Sequence, residues 1–164
     1  MSAVISPCGL YRYRLERTVA MEGPVFAFFG INPSTADANV DDATVRKWIG
    51  FAKRWGASRF IVGNVFAYRA TDVRDLCNDP RSLDSVENRE HVARIAAEAD
   101  ILVPCWGSRG KVLPQHRHHL ANAMARLLTA GKPVMHFGLT ASVDPKHPLM
   151  LGYDTPLIPW GDKP

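Results

Sequence analysis

The chain has 164 residues, of which 46% are apolar, so it can bury one substantial core and we expect a single domain over residues 1–164. No apolar run is long enough to span a bilayer, and the first residues lack the pattern of a secretory signal, which argues against a membrane partner and against export. Lysine and arginine number 20 against 16 aspartate and glutamate, a net charge of +4 that suits an anionic partner and equally an ordinary solvated surface.

The first strands of the chain differ in their hydrophobic patterns. Residues 11–19 alternate apolar Tyr11, Tyr13 and Leu15 with charged residues such as Arg12, which predicts a strand at a sheet edge with one face in water. Residues 25–31 are almost wholly apolar, as is typical of a central parallel strand that is covered on both faces.

The rest of the chain alternates helices and strands. Residues 42–55 predict an amphipathic helix that is capped by Asp41 or Asp42 and ended by Gly56. After it we predict a buried strand at 59–66, a polar loop from Arg69 to Asp79-Pro80, a helix at 87–99, a strand at 100–106, a helix at 113–130 and a last core strand at 133–137. This order predicts an α/β fold, a three-layer α/β/α sandwich whose central sheet has four mostly parallel strands plus an N-terminal edge strand.

The turn after the first core strand carries the strongest functional signal. An apolar strand runs there into a polar turn stiffened by Pro33 that opens a helix, and such loops line the crevice where open α/β sheets bind ligands. We expect Gly30 to let a ligand approach the backbone, because it lacks a Cβ. The loop also offers the polar side chains of Asn32, Ser34, Thr35 and Asp42. An ordinary strand-to-helix connector contains the same residue types, and Asp41 and Asp42 suit either capping or active-site duty.

The other core strands also end in polar or aromatic side chains. Asn64 lies near the end of the second strand, Trp106 closes the third, and His147 lies beyond the fourth. Because the carboxyl ends of parallel strands share one edge of a sheet, we expect these residues to meet Asn32 there, with Arg69 nearby. An amide pairs well with the edge of a planar heterocycle.

Histidines and cysteines do not predict a metal centre. His116, His118 and His119 border the apolar stripe of the long helix without a carboxylate or cysteine at ligand spacing, so we interpret them as structural and expect no metal and no cofactor. The three cysteines, Cys8, Cys77 and Cys105, are odd in number and widely spaced, which predicts reduced thiols in a cytoplasmic protein.

Three segments resemble motifs of the uracil-DNA glycosylase superfamily. Gly30-Ile31-Asn32-Pro33-Ser34 is similar to the motif that positions the attacking water, and is closest to the mismatch-specific branch. The run from Val62 to Arg69 resembles the segment whose Asn reads the base edge. His147-Pro148-Leu149-Met150 is similar to the loop whose His stabilises the departing base and whose apolar residue wedges into DNA. The resemblance implies a uracil-DNA glycosylase-like domain with a core at about 11–160.

Over nearly its whole length the chain also resembles the uncharacterised bacterial domain-of-unknown-function family sixteen-forty-three. The similarity runs from Gly-Ile-Asn-Pro-Ser-Thr-Ala through Gly-Asn-x-Phe-Ala-Tyr-Arg-Ala-Thr to His-Pro-Leu. This second resemblance brings no assigned reaction.

The glycosylase resemblance implies a pocket that binds a nucleobase, nucleotide or nucleic acid, with N-glycosidic bond hydrolysis as its reaction. In that scheme Asn32 and Asp42 hold the attacking water and His147 stabilises the leaving base. Asn64 contacts the base edge, an aromatic side chain packs on its face, and basic side chains hold phosphates. The aromatic candidates are Phe66, Tyr68 and Trp106, and the phosphate candidates are Arg69, Arg109 and Lys146. A non-catalytic binder of nucleotides or nucleic acid and a small-molecule enzyme unrelated to bases remain alternatives.

Overall fold

The computed structural model describes residues 1–78 and 85–161. Its main sheet has five strands in the order β1-β2-β4-β3-β5. Strands β1 and β2 pair antiparallel, as do β2 and β4, whereas β3 runs parallel to both β4 and β5. The strands are β1 (Ser2–Ile5), β2 (Arg12–Thr18), β3 (Val25–Gly30), β4 (Arg59–Asn64) and β5 (Ile101–Pro104).

Three helices connect and cover the strands: α1 (Ala43–Arg54), α2 (Val86–Glu98) and α3 (His118–Leu128). Asp42 caps the first turn of α1, and Gly56 follows the end of that helix with a φ of 66°, which a residue without a Cβ adopts easily. Ser85 caps α2 through its side chain. These boundaries confirm the first two predicted helices to within a residue or two.

Helices pack on both faces of the sheet, because successive side chains of β3 point to opposite sides. Phe26 and Phe28 pack with Trp48 and Phe51 of α1. On the other face, Ala27 and Phe29 belong to a core that includes Ile95 of α2 and Leu120 and Leu127 of α3. The apolar β3 is therefore covered on both sides, as its sequence predicts.

The predicted edge strand is wrong in its position. The strand at 11–19 does not lie at the edge of the sheet, because Ser2–Ile5 adds a further strand, β1, on its outer side. Arg12, expected on a face in water, is only 2% exposed. The alternating pattern therefore predicts the strand but not what covers its charged side chains.

The predicted last core strand at 133–137 is also only partly formed. Its strand segment β6 (Met135–His136) pairs with β7 (Ile158–Pro159) in a separate two-stranded sheet. A single parallel bridge from Val134 to Leu102 connects it to β5. The five-stranded sheet is consequently mixed, with three parallel strands rather than four.

The third helix is shorter than the sequence predicts. The prediction starts it at Leu113, but Pro114–His116 forms a 3-10 turn and α3 begins at His118. Leu128, an apolar residue within the predicted helix at 113–130, is 47% exposed. In the long polar loop, residues 73–78 form a 3-10 helix, and Asp79-Pro80 lies outside the described residues. No helix in the described ranges combines the length and the hydropathy that a bilayer crossing requires.

Candidate functional site

The order of the parallel strands places a crevice at one end of the sheet. The chain passes from β3 through α1 to β4 on one side of β3, and then through α2 to β5 on its other side. The connections that leave β3 and β5 therefore diverge, and a gap opens beyond their carboxyl ends. Such a switch in direction is the usual position of a ligand site in an open α/β sheet.

A cavity of about 110 Å³ occupies this position, and we call it the strand-end cavity. Seven of the residues expected at a functional site line it: Gly30, Asn32, Ser34, Asp42, Asn64, Trp106 and His147. They come from the ends of three strands, the cap of α1 and the loop after β6. The expected convergence of Asn32, Asn64 and His147 is thus present in the fold.

Asn32 is held with its amide in one orientation. Its Nδ2 donates to the carbonyl of Ala70 at 2.7 Å and to that of Pro33 at 3.1 Å. Because both partners are acceptors, only the nitrogen can face them, and the Oδ1 atom makes no hydrogen bond within the described residues. Asn32 therefore presents a hydrogen-bond acceptor that could hold a water proton.

Gly30 makes room for Asn64. The parallel register of β3 and β4 places the two residues side by side, and a Cβ at position 30 would lie 2.9 Å from Oδ1 of Asn64. The absence of a Cβ thus serves a neighbouring side chain, in addition to any ligand. Asn64 is 2% exposed, and its Nδ2 has no hydrogen-bond partner among the described residues. A buried donor without a partner costs about 1–3 kcal/mol, which a bound acceptor would recover.

We expect Gly30→Ala to lower the free energy of unfolding by about 1–3 kcal/mol, because the new methyl group overpacks against the Asn64 amide. It should also weaken the binding of any ligand that Asn64 contacts. Chemical denaturation and a binding titration measure the two effects. Gly63→Ala is the matched strand control, since its Cβ would meet the Cδ1 atom of Ile95 and the ring edge of Phe29 at 3.2–3.3 Å and leave the amide in place. Equal ligand affinity in both variants would contradict a role for Asn64.

The two adjacent aspartates have different partners. Asp41 forms an ion pair of 2.7 Å with Arg17 and does not line the cavity. Asp42 accepts a hydrogen bond from the backbone of Val45 at 2.9 Å through Oδ1, which caps α1, and it also lines the cavity. Asp42 is the one carboxylate in the lining formed by the described residues. Capping and a place in the site are therefore combined in Asp42.

His147 enters the cavity as a neutral imidazole. Its Nδ1 accepts a hydrogen bond from the backbone of Leu149 at 3.3 Å, which leaves the proton of the neutral ring on Nε2. Burial, with a smaller contribution from the nearby Lys111 cation, lowers the pKa of His147 to about 4. Near neutral pH the ring can therefore donate a hydrogen bond from Nε2 without carrying charge.

An NMR titration should show the His147 ring protonating with a pKa near 4 instead of the usual 6.5. Since folding favours the neutral ring, this group stabilises the fold fully above about pH 6.5, and that stabilisation is lost as the pH falls through the folded-state value. Replacing His147 by Gln should remove this part of the pH dependence, so that the free energy of unfolding falls less as the pH is lowered from the usual pKa to the folded-state pKa. A His147 pKa near 6.5 would contradict the buried, neutral ring.

Arg12 is a cavity residue that the sequence pattern did not reveal. Its Nη1 donates to the carbonyl of Ala36 at 2.7 Å, and its buried Nε has no partner in the described part of the chain. Burial lowers the pKa of Arg12 to about 10 while Asp42 opposes that shift, so the guanidinium stays protonated near neutral pH. Lys111 also lines the cavity. With two cations against one carboxylate, the lining favours an anionic or electron-rich ligand.

The structure does not bring three of the expected base-binding residues to the cavity. Thr35 is exposed on the outer side of its loop. Phe66 is buried in the core on the α2 and α3 face, where its ring meets the edge of His119. Tyr68 packs edge-on against Tyr11, with ring centroids 5.7 Å apart. Of the three aromatic candidates, Trp106 is the one that lines the cavity.

The three expected phosphate-binding residues also lie elsewhere. Arg69 donates to the carbonyls of Gly9, Ser34 and Thr35, and so braces the loop after β3. Arg109 forms an ion pair of 2.8 Å with Asp144. Lys146 is exposed and does not line the cavity. Contact of these side chains with phosphate stays a prediction, and Arg12 and Lys111 are the cations that line the cavity.

The histidine cluster has no ligand set around it. The rings of His118 and His119 lie 4.0 Å apart at the start of α3. Within residues 1–78 and 85–161, no group of three or more histidine, cysteine, aspartate or glutamate side chains is arranged to hold a metal ion. Cys105 is a buried free thiol.

Comparison with known proteins identifies the chain at the level of its family. No curated protein matches the chain, and no solved structure does. The similarity to the glycosylase superfamily therefore remains a prediction from three motifs. The model of one family, described as protein of unknown function (DUF1643), matches residues 12–149. That match covers most of the chain and nearly every residue of the strand-end cavity, and the chain therefore belongs to the DUF1643 family.

Proposed function

We propose that the strand-end cavity binds a nucleobase, either free or as part of a nucleotide or nucleic acid. The observation that carries this proposal is the buried Asn64 amide, whose Nδ2 lacks a partner among the described residues and which lines a cavity bordered by Trp106. An amide donor beside an aromatic side chain suits the carbonyl-bearing edge and the flat face of a base.

The size of the cavity supports a ligand with one ring. Its volume of about 110 Å³ is close to that of an apolar cavity of about 150 Å³ that accepts benzene in another protein. A whole nucleotide does not fit in this space. A base could enter it while sugar and phosphate remain at the mouth, near the exposed Lys111.

Charge in the lining supports the same class of ligand. The Arg12 guanidinium is buried and protonated, and it offers donors to a carbonyl or an anionic oxygen. His147 offers a second donor from Nε2. Several convergent donors in one small cavity match a ring with more than one acceptor on its edge.

N-glycosidic hydrolysis is a second candidate function, favoured by the pairing of Asp42 with a neutral His147 in one cavity. A water held by Oδ1 of Asn32 would attack the sugar carbon and form a new C–O bond as the carbon–nitrogen bond to the base breaks. The electron pair of the broken bond leaves with the base, whose oxygen accepts a hydrogen bond from His147. The proton of the water passes to Asp42.

We further propose that residues 1–164 form one domain with a uracil-DNA glycosylase-like fold. Three observations support this: helices on both faces of the sheet, the strand order β4-β3-β5, and the meeting of all three motif segments at one cavity. The exposed side chains of Leu149 and Met150, next to His147, are suited to press between stacked bases. The thiol of Cys105, which forms no disulfide, supports a cytoplasmic location.

Binding should be tested with uracil, the other bases, nucleosides and abasic-site DNA in a thermal-shift panel, followed by calorimetry of the hits. We expect at least one base-containing ligand to bind, and Asn64→Leu to weaken it about tenfold or more. Asn39→Leu is the control, because Asn39 is exposed and outside the cavity. Released base from a nucleoside or DNA would favour hydrolysis, and binding without product would favour the non-catalytic binder. No affinity for any member of the panel would contradict the proposal and favour a small-molecule enzyme.

A further inference from the structure

We propose that a second cavity, between α2 and α3, is a separate ligand site for a small anionic heteroaromatic molecule that carries a ring N–H. This inter-helix cavity has a volume of about 90 Å³ and lies on the opposite side of Asn64 and Trp106, two residues that it shares with the strand-end cavity. The proposal stands independently of the function proposed above, because its polar ligand contacts come from Asn88 and Arg126, which do not line the strand-end cavity.

A buried hydrogen-bond acceptor marks the inner end of the inter-helix cavity. Asn88 of α2 is 4% exposed, and its Nδ2 donates to the backbone carbonyls of Asn64 at 3.0 Å and Val65 at 3.1 Å. Those two acceptors determine the orientation of the amide, and its Oδ1 has no partner among the described residues. A buried acceptor without a hydrogen-bond partner costs free energy, so we expect the ligand to place an N–H group at this point.

The walls of the inter-helix cavity suit a flat ring. Phe29 and Trp106 are buried aromatic residues in its lining, and Val92 and Leu127 add aliphatic surface from the two helices. A volume of about 90 Å³ admits a single ring and excludes larger fused systems. The ring would contact apolar side chains while its N–H donates to Asn88.

The outer part of the inter-helix cavity is basic. The titratable side chains of its described lining are Arg89, Arg126, His118 and His119, and no carboxylate is among them. Arg126 is exposed, whereas Asn88 is buried, so the guanidinium lies toward solvent and the acceptor lies toward the sheet. A phosphate or carboxylate attached to the ring would therefore lie at the mouth while the N–H points inward.

Uridine monophosphate has this arrangement of groups. Its ring N3–H is on the side of the base that faces away from the sugar and phosphate, so the ring can enter first and the phosphate can stay among the arginines. Orotate has the same pyrimidine ring, with a carboxylate on the ring carbon next to the nitrogen that carries the sugar phosphate in uridine monophosphate. Comparing the two molecules distinguishes a nucleotide from a heteroaromatic acid as the source of the shared chemistry.

Isothermal titration of the full chain with uridine monophosphate, its N3-methyl derivative, orotate and inorganic phosphate tests the proposal. We expect uridine monophosphate or orotate to bind, inorganic phosphate to bind much more weakly, and N3-methylation to weaken binding about tenfold or more. Arg126→Gln should weaken the binding of the anionic ligand about tenfold, and Ala123→Phe should abolish binding by filling the cavity.

Two control variants separate this site from other positions. Arg94→Gln removes an exposed cation of α2 that lies outside the inter-helix cavity, and His147→Leu removes a hydrogen-bond donor that belongs to the strand-end cavity alone. Both should retain affinity for the ligand. If Ala123→Phe does not fold, Arg126→Gln still tests the proposal, because the side chain of Arg126 is exposed.

Three results would overturn the proposal. One is no binding of uridine monophosphate or orotate to the folded protein up to about 1 mM. The second is equal affinity for the N3-methyl derivative, which would exclude Asn88 as the acceptor. The third is binding that survives Arg126→Gln but is lost in His147→Leu, which would place the ligand in the strand-end cavity and support only the function proposed above.

Discussion

Replacing Arg17 by methionine is expected to lower the free energy of unfolding by about 3 kcal/mol, the largest stability effect we predict for a single side chain. Arg17 is 1% exposed, forms an ion pair of 2.7 Å with Asp41, and donates to the carbonyl of Asp37 at 2.6 Å. Methionine fills a similar volume but leaves these acceptors without their donor. The loss follows from uncompensated polar groups and not from a cavity.

The Arg17 contacts connect β2 to the segment that leads into α1, so the variant should also disturb Asp42. Chemical denaturation measures the stability change. Arg94→Met is the control, since the Arg94 side chain is 72% exposed and its loss should change stability by less than about 0.5 kcal/mol. An Arg17→Met variant as stable as this control would show that the buried ion pair does not hold the loop.

Asp42→Asn is expected to reduce the turnover of N-glycosidic hydrolysis by a factor of about 10²–10⁴ while leaving binding and stability close to those of the native chain. Asparagine keeps the shape of aspartate and caps helices equally well, so the hydrogen bond to Val45 can be retained. The variant removes the one carboxylate in the described lining of the strand-end cavity, which the proposed reaction needs to accept a proton. Product release from a nucleoside or DNA substrate measures the effect.

Asp41→Asn is the matched control for this experiment. It alters the adjacent residue, weakens the ion pair with Arg17, and leaves the carboxylate of the cavity in place. It should therefore lose stability and keep turnover per folded molecule, the reverse of Asp42→Asn. Unchanged turnover in Asp42→Asn would exclude Asp42 as the proton acceptor and leave binding as the supported function.

Local patterns predicted much of the fold because they report burial directly. The helical spacing at 42–55 and the apolar run at 25–31 both depend on neighbours within a few residues, and both elements form where expected. The polar residues at the strand ends predicted the site, since the carboxyl ends of parallel strands lie at one edge of the sheet whichever helices cover it. Asn32, Asn64 and His147 consequently meet although they are far apart in the chain.

Features that depend on distant contacts could not be predicted in this way. Arg12 alternates like a solvated residue, and only the carbonyl of Ala36, which follows β3, reveals its burial. Phe66 follows a strand end as Trp106 does, and both belong to the core on the opposite face from α1, but only Trp106 of the two also lines the strand-end cavity. Arg109 and Arg69 have the charge for phosphate, but Asp144 and loop carbonyls already accept their hydrogen bonds.

The difference between Arg12 and Arg17 illustrates this limit. Arg17 lies on the same face of β2 as Tyr13 and Leu15, so a cation that faces inward could have been recognised from the alternation. Arg12 has the opposite parity and gives no local signal. Of these two arginines, the one that lines the strand-end cavity is the one that the pattern could not reveal.

A crystal structure of the chain soaked with uracil will show whether Asn32, Asn64 and His147 form one ligand-binding cavity. We expect a ring in the strand-end cavity, with one carbonyl oxygen within hydrogen-bonding distance of Nδ2 of Asn64 and another group within reach of Nε2 of His147. Density for the base elsewhere on the molecule, or a strand-end region closed by side chains, would contradict it.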